Sequence, residues 1–286
     1  MTDSAYAQKR NAGRTAIPAE NTLASLLAAL RLGADFIETD AIATADGEIV
    51  LTHSNDTSMH TFGPQAAVPG KRFIDEMTLA EVQFLRTGAS GEARIATLRE
   101  LLRAVAAEFP GPGTIIDLEL KGVQATPRTA SQTPPLVGPV LATIRQVGFP
   151  LERILFSSFS VHTLEALSAM APAARTGLLF SSAPAGGVFA EPDLSIEAAL
   201  ERLPKLEAVI PEIRDLTPDM AELAARKGLA ILTYGDREES PLTSGSFAAA
   251  ARQALQLCAH HGVRLGIITD FISDLKQFSA GPRRPV

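Results

Sequence analysis

The sequence predicts an α/β protein, a (β/α)8 TIM barrel with a β-hairpin at the second strand. Three observations carry this expectation. Short apolar runs rich in Ile, Val, Leu and Thr alternate with patterns of helical period along the whole chain. The length, 286 residues, has room for eight β/α units in a single domain over 1–286. No Gly-x-Gly-x-x-Gly follows any strand-like run. The other architecture built from such units, a doubly wound open sheet, therefore lacks its dinucleotide fingerprint.

The elements follow in order. Ser4 to Gln8 is a short, weakly apolar candidate for the first strand. Asn21 reads as the cap of a helix, TLASLLAALRLG, that ends with Gly33 at C′. Phe36 to Thr44 and Glu48 to His53 flank Asp46-Gly47, a strong hairpin signal. Thr78 opens TLAEVQFLR and Thr97 opens TLRELLRAVAAEF, each with an acidic residue three further on, as a capping box requires. Strand TIIDLELK, Thr114 to Lys121, comes next. Then helices PLVGPVLATIRQVG, SVHTLEALSAMA, SIEAALERL, TPDMAELAARKG and SFAAAARQALQLCAHHG alternate with strands RILFSS, RTGLLF, EAVIP, LAILTY and LGIITD. With the hairpin counted once, these are seven strand runs, and Ser4 to Gln8 supplies the eighth.

Composition narrows the function. The net charge is −6 and basic residues nowhere run beyond isolated pairs such as Arg283-Arg284, so an electrostatic stripe for nucleic acid is not expected. The single cysteine, Cys258, cannot form a disulfide framework and lies in a helical pattern as a core residue. No apolar run reaches the roughly 18 residues of a membrane span. The opening MTDSAYAQKR lacks an apolar signal region. The expectation is a cytoplasmic protein; the oligomeric state is not written in the sequence.

The hairpin raises the functional question. If Asp46 and Gly47 are its two loop residues, Ala45 faces Glu48 and Asp40 faces His53. Glu38 shares the face of Asp40 by period two, while Ile37, Ile49 and Leu51 alternate against it. On a free hairpin such a face is only solvated. At the C-terminal end of a barrel strand it lies where active sites lie. There Glu119 and Lys121 of IDLELK reach the same rim. Carboxylates converging in this way repel unless a cation joins them, and oxygen ligands suit Mg²⁺ or Ca²⁺. A hard ion beside a lysine and a histidine makes a phosphate site, with His53 to move a proton.

The stretch ENTLASLLAALRLGADFIETDAIATADGEIVLTHSND resembles the signature of the glycerophosphodiester phosphodiesterase family. That signature runs Pro-Glu-Asn-Thr, Gly-Ala-Asp with Glu-x-Asp, Thr-x-Asp-Gly, then a His-Asp pair. LELK, ILFSSFS, VIPEIRDLTPDMAELAARKGLAILTY and GIITD resemble its later strand ends, in order. The resemblance covers nearly the whole chain. It implies a TIM barrel, one divalent cation and hydrolysis of a glycerophosphodiester, a small-molecule phosphoester. By it Glu38, Asp40 and Glu119 are metal ligands, Glu20 shapes the site, Lys121 contacts phosphate and His53 is one of two acid–base histidines.

Several positions depart from the family pattern. Asn11 and Ala12 stand where the His and Arg of a first-strand His-Arg-Gly would be, before Gly13. Pro18-Ala19-Glu20 replaces Pro-Glu, His53-Ser54 with a later Asp56 replaces His-Asp, and Thr233-Tyr234 replaces Trp-Thr. Arg10 or Arg14 can stand in for the arginine, and His60 for the histidine. Asn11 and Arg14 therefore join Lys121 and Glu20 as substrate-binding candidates. Three classes of function remain: a hydrolase with altered acid–base groups, a barrel repurposed for elimination, cyclisation or group transfer, and a phosphoester binder without catalysis. The alcohol part of the substrate falls to the loops Gly122 to Pro139, Ser181 to Ser195 and Asp236 to Ser246.

Overall fold

The computed structural model describes residues 19–60, 71–87, 93–113, 115–121, 136–181, 195–235 and 245–268. The strand expected at Ser4 to Gln8 lies outside them. The chain divides into two compact units, Met1–Ile154 and Leu155–Val286.

In the first unit, helix α1 (Leu23–Arg31) is capped by Thr22, where the sequence pattern places Asn21. The Ser25 amide donates to Thr22 Oγ1 and the Thr22 amide donates to Ser25 Oγ, each at 3.2 Å. Asn21 takes a left-handed backbone, φ 55°, and stands before the cap. The helix buries Leu26, Leu27 and Leu30. It ends where Gly33 turns left-handed at φ 88°, the C′ role expected of it.

Strand β1 (Ile37–Ala43) pairs antiparallel with β2 (Ile49–Leu51), with Ile42 opposite Val50. This register is one residue away from the sequence expectation. Thr44, and not Ala45, closes the hairpin: its amide donates to the Glu48 carbonyl at 2.9 Å, and the Glu48 amide donates to Thr44 Oγ1 at 3.0 Å. The loop is Ala45-Asp46-Gly47, with Gly47 left-handed at φ 82°, a common three-residue connection. The physical reason is a competing partner. A two-residue loop needs the Ala45 amide for Glu48, but that amide donates to the Met77 carbonyl at 2.8 Å. Asp40 therefore faces Thr52, whose amide donates to the Asp40 carbonyl at 3.0 Å. It does not face His53. A one-residue slip sends a side chain to the other face, so β2 itself does not position His53.

Strand β3 (Ala96–Thr97) pairs with β2, and β4 (Ile116–Leu120) runs parallel to β1, giving the order β3-β2-β1-β4. Ile42 and Val50 pack with Ile74, Met77, Val82, Leu85 and Ile95, which fastens the segment after residue 71 over the hairpin. The boxes expected at Thr78 and Thr97 are both present, with Glu81 and Glu100. The second of them starts helix α2 (Leu98–Glu108). Helix α3 (Val137–Val147) closes the unit and ends on left-handed Gly148.

In the second unit β5 (Ile154–Ser158), β6 (Arg175–Phe180), β7 (Leu206–Pro211), β8 (Ala230–Tyr234) and β9 (Leu265–Ile268) lie side by side, each parallel to the next. Parallel neighbours need crossover helices. These are α4 (Val161–Met170), α5 (Ile196–Arg202), α6 (Pro218–Lys227) and α7 (Gly245–His261). Their core joins Leu164, Phe180, Val209 and Ile231 with Cys258, whose thiol burial pushes up to about 11. Cys258 is thus a core residue, as its helical pattern indicates. Parallel strands alternating with helices place the chain in the (β/α)8 class. Among the described residues no helix is long and apolar enough to cross a membrane.

Candidate functional site

The register of β1 against β4 sets acid beside acid: Glu38 next to Asp117 and Asp40 next to Glu119. Period two puts these four carboxyls on one face, with Lys121 just past the strand end. Ile37, Ala41, Ile116, Leu118 and Leu120 take the other face and are buried. Asp117 is a site neighbour that the reading of IDLELK passes over. The alternation that groups Glu119 with Lys121 groups Asp117 with them too.

Glu38, Asp40 and Glu119 each present a carboxylate oxygen within 4.8 Å of the others, so the three can hold one metal ion. Asp40 and Glu119 are buried, while Glu38 is partly open to solvent. Lys121 Nζ stands 2.7 Å from Asp40 Oδ1 and 2.8 Å from Glu119 Oε1. Asn21 Nδ2 donates to Asp40 Oδ2 at 2.8 Å.

Three carboxyls this close on a buried face cannot all ionise unaided. Burial raises Glu38 well above the ordinary carboxylate range, and the charges of Asp40, Glu119 and Asp117 add to the effect. Burial also pushes Glu119 up to about 8; Lys121 pulls it back and Asp40 raises it further. Asp40 goes the other way. Burial would raise it, but Lys121 and then His53 outweigh burial and hold it below the usual range. Burial would likewise lower Lys121, yet Asp40 and Glu119 keep it above the ordinary lysine value. The donor set fits a hard cation: anionic oxygens, clustered, short of positive charge.

His53 reaches this site by another route than the cross-strand pairing expected of it. It lies past β2, half-buried, near enough for its charge to lower the Asp40 pKa. Buried Asn55 fixes the segment that follows. Its carbonyl accepts from the Ile74 amide at 2.8 Å and its Oδ1 from the Asp75 amide at 3.0 Å. Asp56 turns outward to Arg72, 2.5 Å away. Glu20 is partly buried, one residue before Asn21. Arg10, Asn11, Ala12, Gly13 and Arg14 lie outside the described residues, as do the side chain of His60 and the loop segments 122–135, 182–194 and 236–244.

The second unit has its own polar set at the strand ends. Thr233 Oγ1 donates to the Pro211 carbonyl at 3.0 Å, and Tyr234 OH donates to the Phe180 carbonyl at 3.1 Å. These two residues tie β8 to β7 and β6. Ser181 Oγ donates to Glu212 Oε2 at 3.0 Å.

Comparison with known proteins accords with this geometry. A glycerophosphodiester phosphodiesterase of Caldanaerobacter subterraneus subsp. tengcongensis is 30% identical over 168 residues, 56% of this chain and 61% of that protein. The match thus spans less than two thirds of that relative's length. A solved structure from Galdieria sulphuraria, provisionally assigned as a glycerophosphodiester phosphodiesterase, shares the fold with a TM-score of 0.72. It is 22% identical, and the match covers 94% of each chain. A phosphodiesterase of Oleispira antarctica, solved with the product sn-glycerol-3-phosphate, has a TM-score of 0.66 at 21% identity and a match covering 92% of each chain. These two likenesses show the fold. The family profile described as the glycerophosphoryl diester phosphodiesterase family matches residues 7–274, nearly the whole chain, and on that match this protein belongs to the glycerophosphoryl diester phosphodiesterase family.

Proposed function

We propose that the protein is a phosphoric diester hydrolase, one barrel domain over 1–286, that cleaves a glycerophosphodiester or a related phosphoester. In this reading Glu38, Asp40 and Glu119 hold one divalent cation, Mg²⁺ or Ca²⁺. The observation that supports it is their convergence within 4.8 Å on one sheet face beside Lys121, with the charge of His53 acting on Asp40. The family of this chain and the product bound to the Oleispira antarctica protein support the substrate class.

When bound, the ion supplies Lewis-acid charge at the phosphoryl group. Lys121 adds a positive charge for a non-bridging phosphoryl oxygen. Glu20, Asn11 and Arg14 serve as substrate-binding groups in this reading. His53 moves protons: in hydrolysis a water oxygen bonds to phosphorus, the bond to the alcohol oxygen breaks, the water gives up a proton and the leaving oxygen gains one. Asn11 stands where a second histidine would serve. An amide donates a hydrogen bond but does not carry a proton at neutral pH. A cytoplasmic setting belongs to the same reading.

A second reading draws on the same histidine count. No histidine precedes His53 in the sequence. Internal displacement by a substrate hydroxyl moves one proton from that hydroxyl to the leaving oxygen, as hydrolysis does from water, but needs no water to be positioned and activated. Phosphorus NMR of glycerophosphocholine incubated with the protein and Mg²⁺ or Ca²⁺ separates the readings. Hydrolysis is expected to give a glycerol phosphate monoester. A cyclic glycerol phosphate that accumulates without monoester would establish the second reading, and failure of the protein with either ion to cleave both glycerophosphocholine and bis(p-nitrophenyl) phosphate would refute both.

A further inference from the structure

Asn21 is the one non-glycine residue with a left-handed backbone among the described residues, φ 55°, and it is buried. The helix that follows does not use its side chain, because Thr22 is the cap. Both ends of its amide are spent on β1 instead. Oδ1 accepts from Thr39 Oγ1 at 2.6 Å and from the Asp40 amide at 3.3 Å. Two donors identify that atom as the oxygen, which leaves Nδ2 to donate to Asp40 Oδ2 at 2.8 Å. Lys121 takes the other oxygen, Oδ1, at 2.7 Å and reaches Glu119 from there. The Asp40 carboxylate is therefore gripped at both oxygens. Asparagine suits this position on two counts: it tolerates the left-handed region, and it carries a donor and an acceptor on one rigid plane.

We propose that Asn21 is a positioning residue of the cation site, fixing the Asp40 carboxylate plane so that Oδ1 faces the centre it shares with Glu119. The inference rests on the reading of Glu38, Asp40 and Glu119 as cation ligands. Groups that orient a ligand in this way typically cost 10–100-fold in metal affinity when removed. Asn21→Gly is the discriminating variant. Glycine accepts the left-handed backbone without strain, so the fold is kept and the side chain alone is lost.

The test is titration calorimetry of the metal-stripped full chain with MgCl2 and, separately, CaCl2, paired with melting of the metal-free protein. Asn21→Gly is expected to raise Kd about 10–100-fold with metal-free Tm within a few degrees of wild type. Thr39→Val, which deletes the hydroxyl that orients Asn21, is expected to raise Kd roughly fivefold, the worth of one hydrogen bond. Wild-type affinity in Asn21→Gly overturns the inference. So does a loss of affinity matched by a large loss of metal-free Tm, which would make Asn21 a structural tie alone. If Asn21→Gly does not fold, an unchanged Kd in Thr39→Val overturns it. Failure of the wild type to bind either ion would refute the cation reading itself, a separate outcome.

Discussion

Bis(p-nitrophenyl) phosphate should be cleaved far faster than glycerophosphocholine when Mg²⁺ or Ca²⁺ is present. A p-nitrophenolate leaves without a proton, whereas the choline alkoxide needs one. One positioned acid typically contributes about 10²- to 10⁴-fold, and in the proposed reading Asn11 stands in place of such a group. Restoring the family residues with Asn11→His and Ala12→Arg should raise the rate on glycerophosphocholine towards that range and change the p-nitrophenyl rate much less. His53→Ala should remove activity on both esters if His53 is the proton shuttle, as the proposed function has it. Equal rates on the two esters would mean that proton supply is not what the chain lacks. No gain in the restored variant, with neither ester cleaved by the wild type, would count against hydrolysis altogether.

Lys121→Met should destabilise the metal-free protein by about 3–5 kcal/mol, the usual cost of removing one partner of a buried ion pair. The lysine lies within 2.8 Å of carboxylate oxygens on two strands, and its side chain is only 10% exposed. Methionine keeps the length and apolar stem but leaves buried Asp40 without its counter-charge. Urea unfolding in EDTA reads the loss. Adding Mg²⁺ or Ca²⁺ should restore part of it, since the ion supplies the missing positive charge to the same oxygens. An unchanged midpoint in EDTA would show that Lys121 does not hold these strands together.

The fold was largely legible because its signals are local. Thr78 with Glu81 and Thr97 with Glu100 sit one helical turn apart, so each box is complete within four residues. Strand alternation likewise needs no distant partner to place Glu38 with Asp40, or Glu119 with Lys121. Misreadings arose where a remote group entered. The hairpin slipped by one residue because the Ala45 amide bonds to Met77, 32 positions away. Thr22 displaced Asn21 as the cap because Ser25 completes a box with it, and a serine at that position is a weaker cue than glutamate. Strand β3, two residues long, is too short to show any period. His53 acts on Asp40 from a loop whose Asn55 is tied to Ile74 and Asp75, contacts that hydrophobic pattern does not encode. Asp117 differs from these: its place on the site face could have been read from IDLELK.

The most direct test of the cation site is thermal melting of metal-stripped wild type and Glu38→Ala, each with and without Mg²⁺ or Ca²⁺. Glu38 is the least buried of the three ligand candidates, so its removal perturbs the core least. A ligand that binds the folded form alone stabilises by RT ln(1 + [L]/Kd), about 2.7 kcal/mol at a hundredfold excess over Kd. The account expects a concentration-dependent rise in wild-type Tm with at least one ion, and a much smaller rise in Glu38→Ala. An absent shift in the wild type, or an equal shift in the variant, would contradict it.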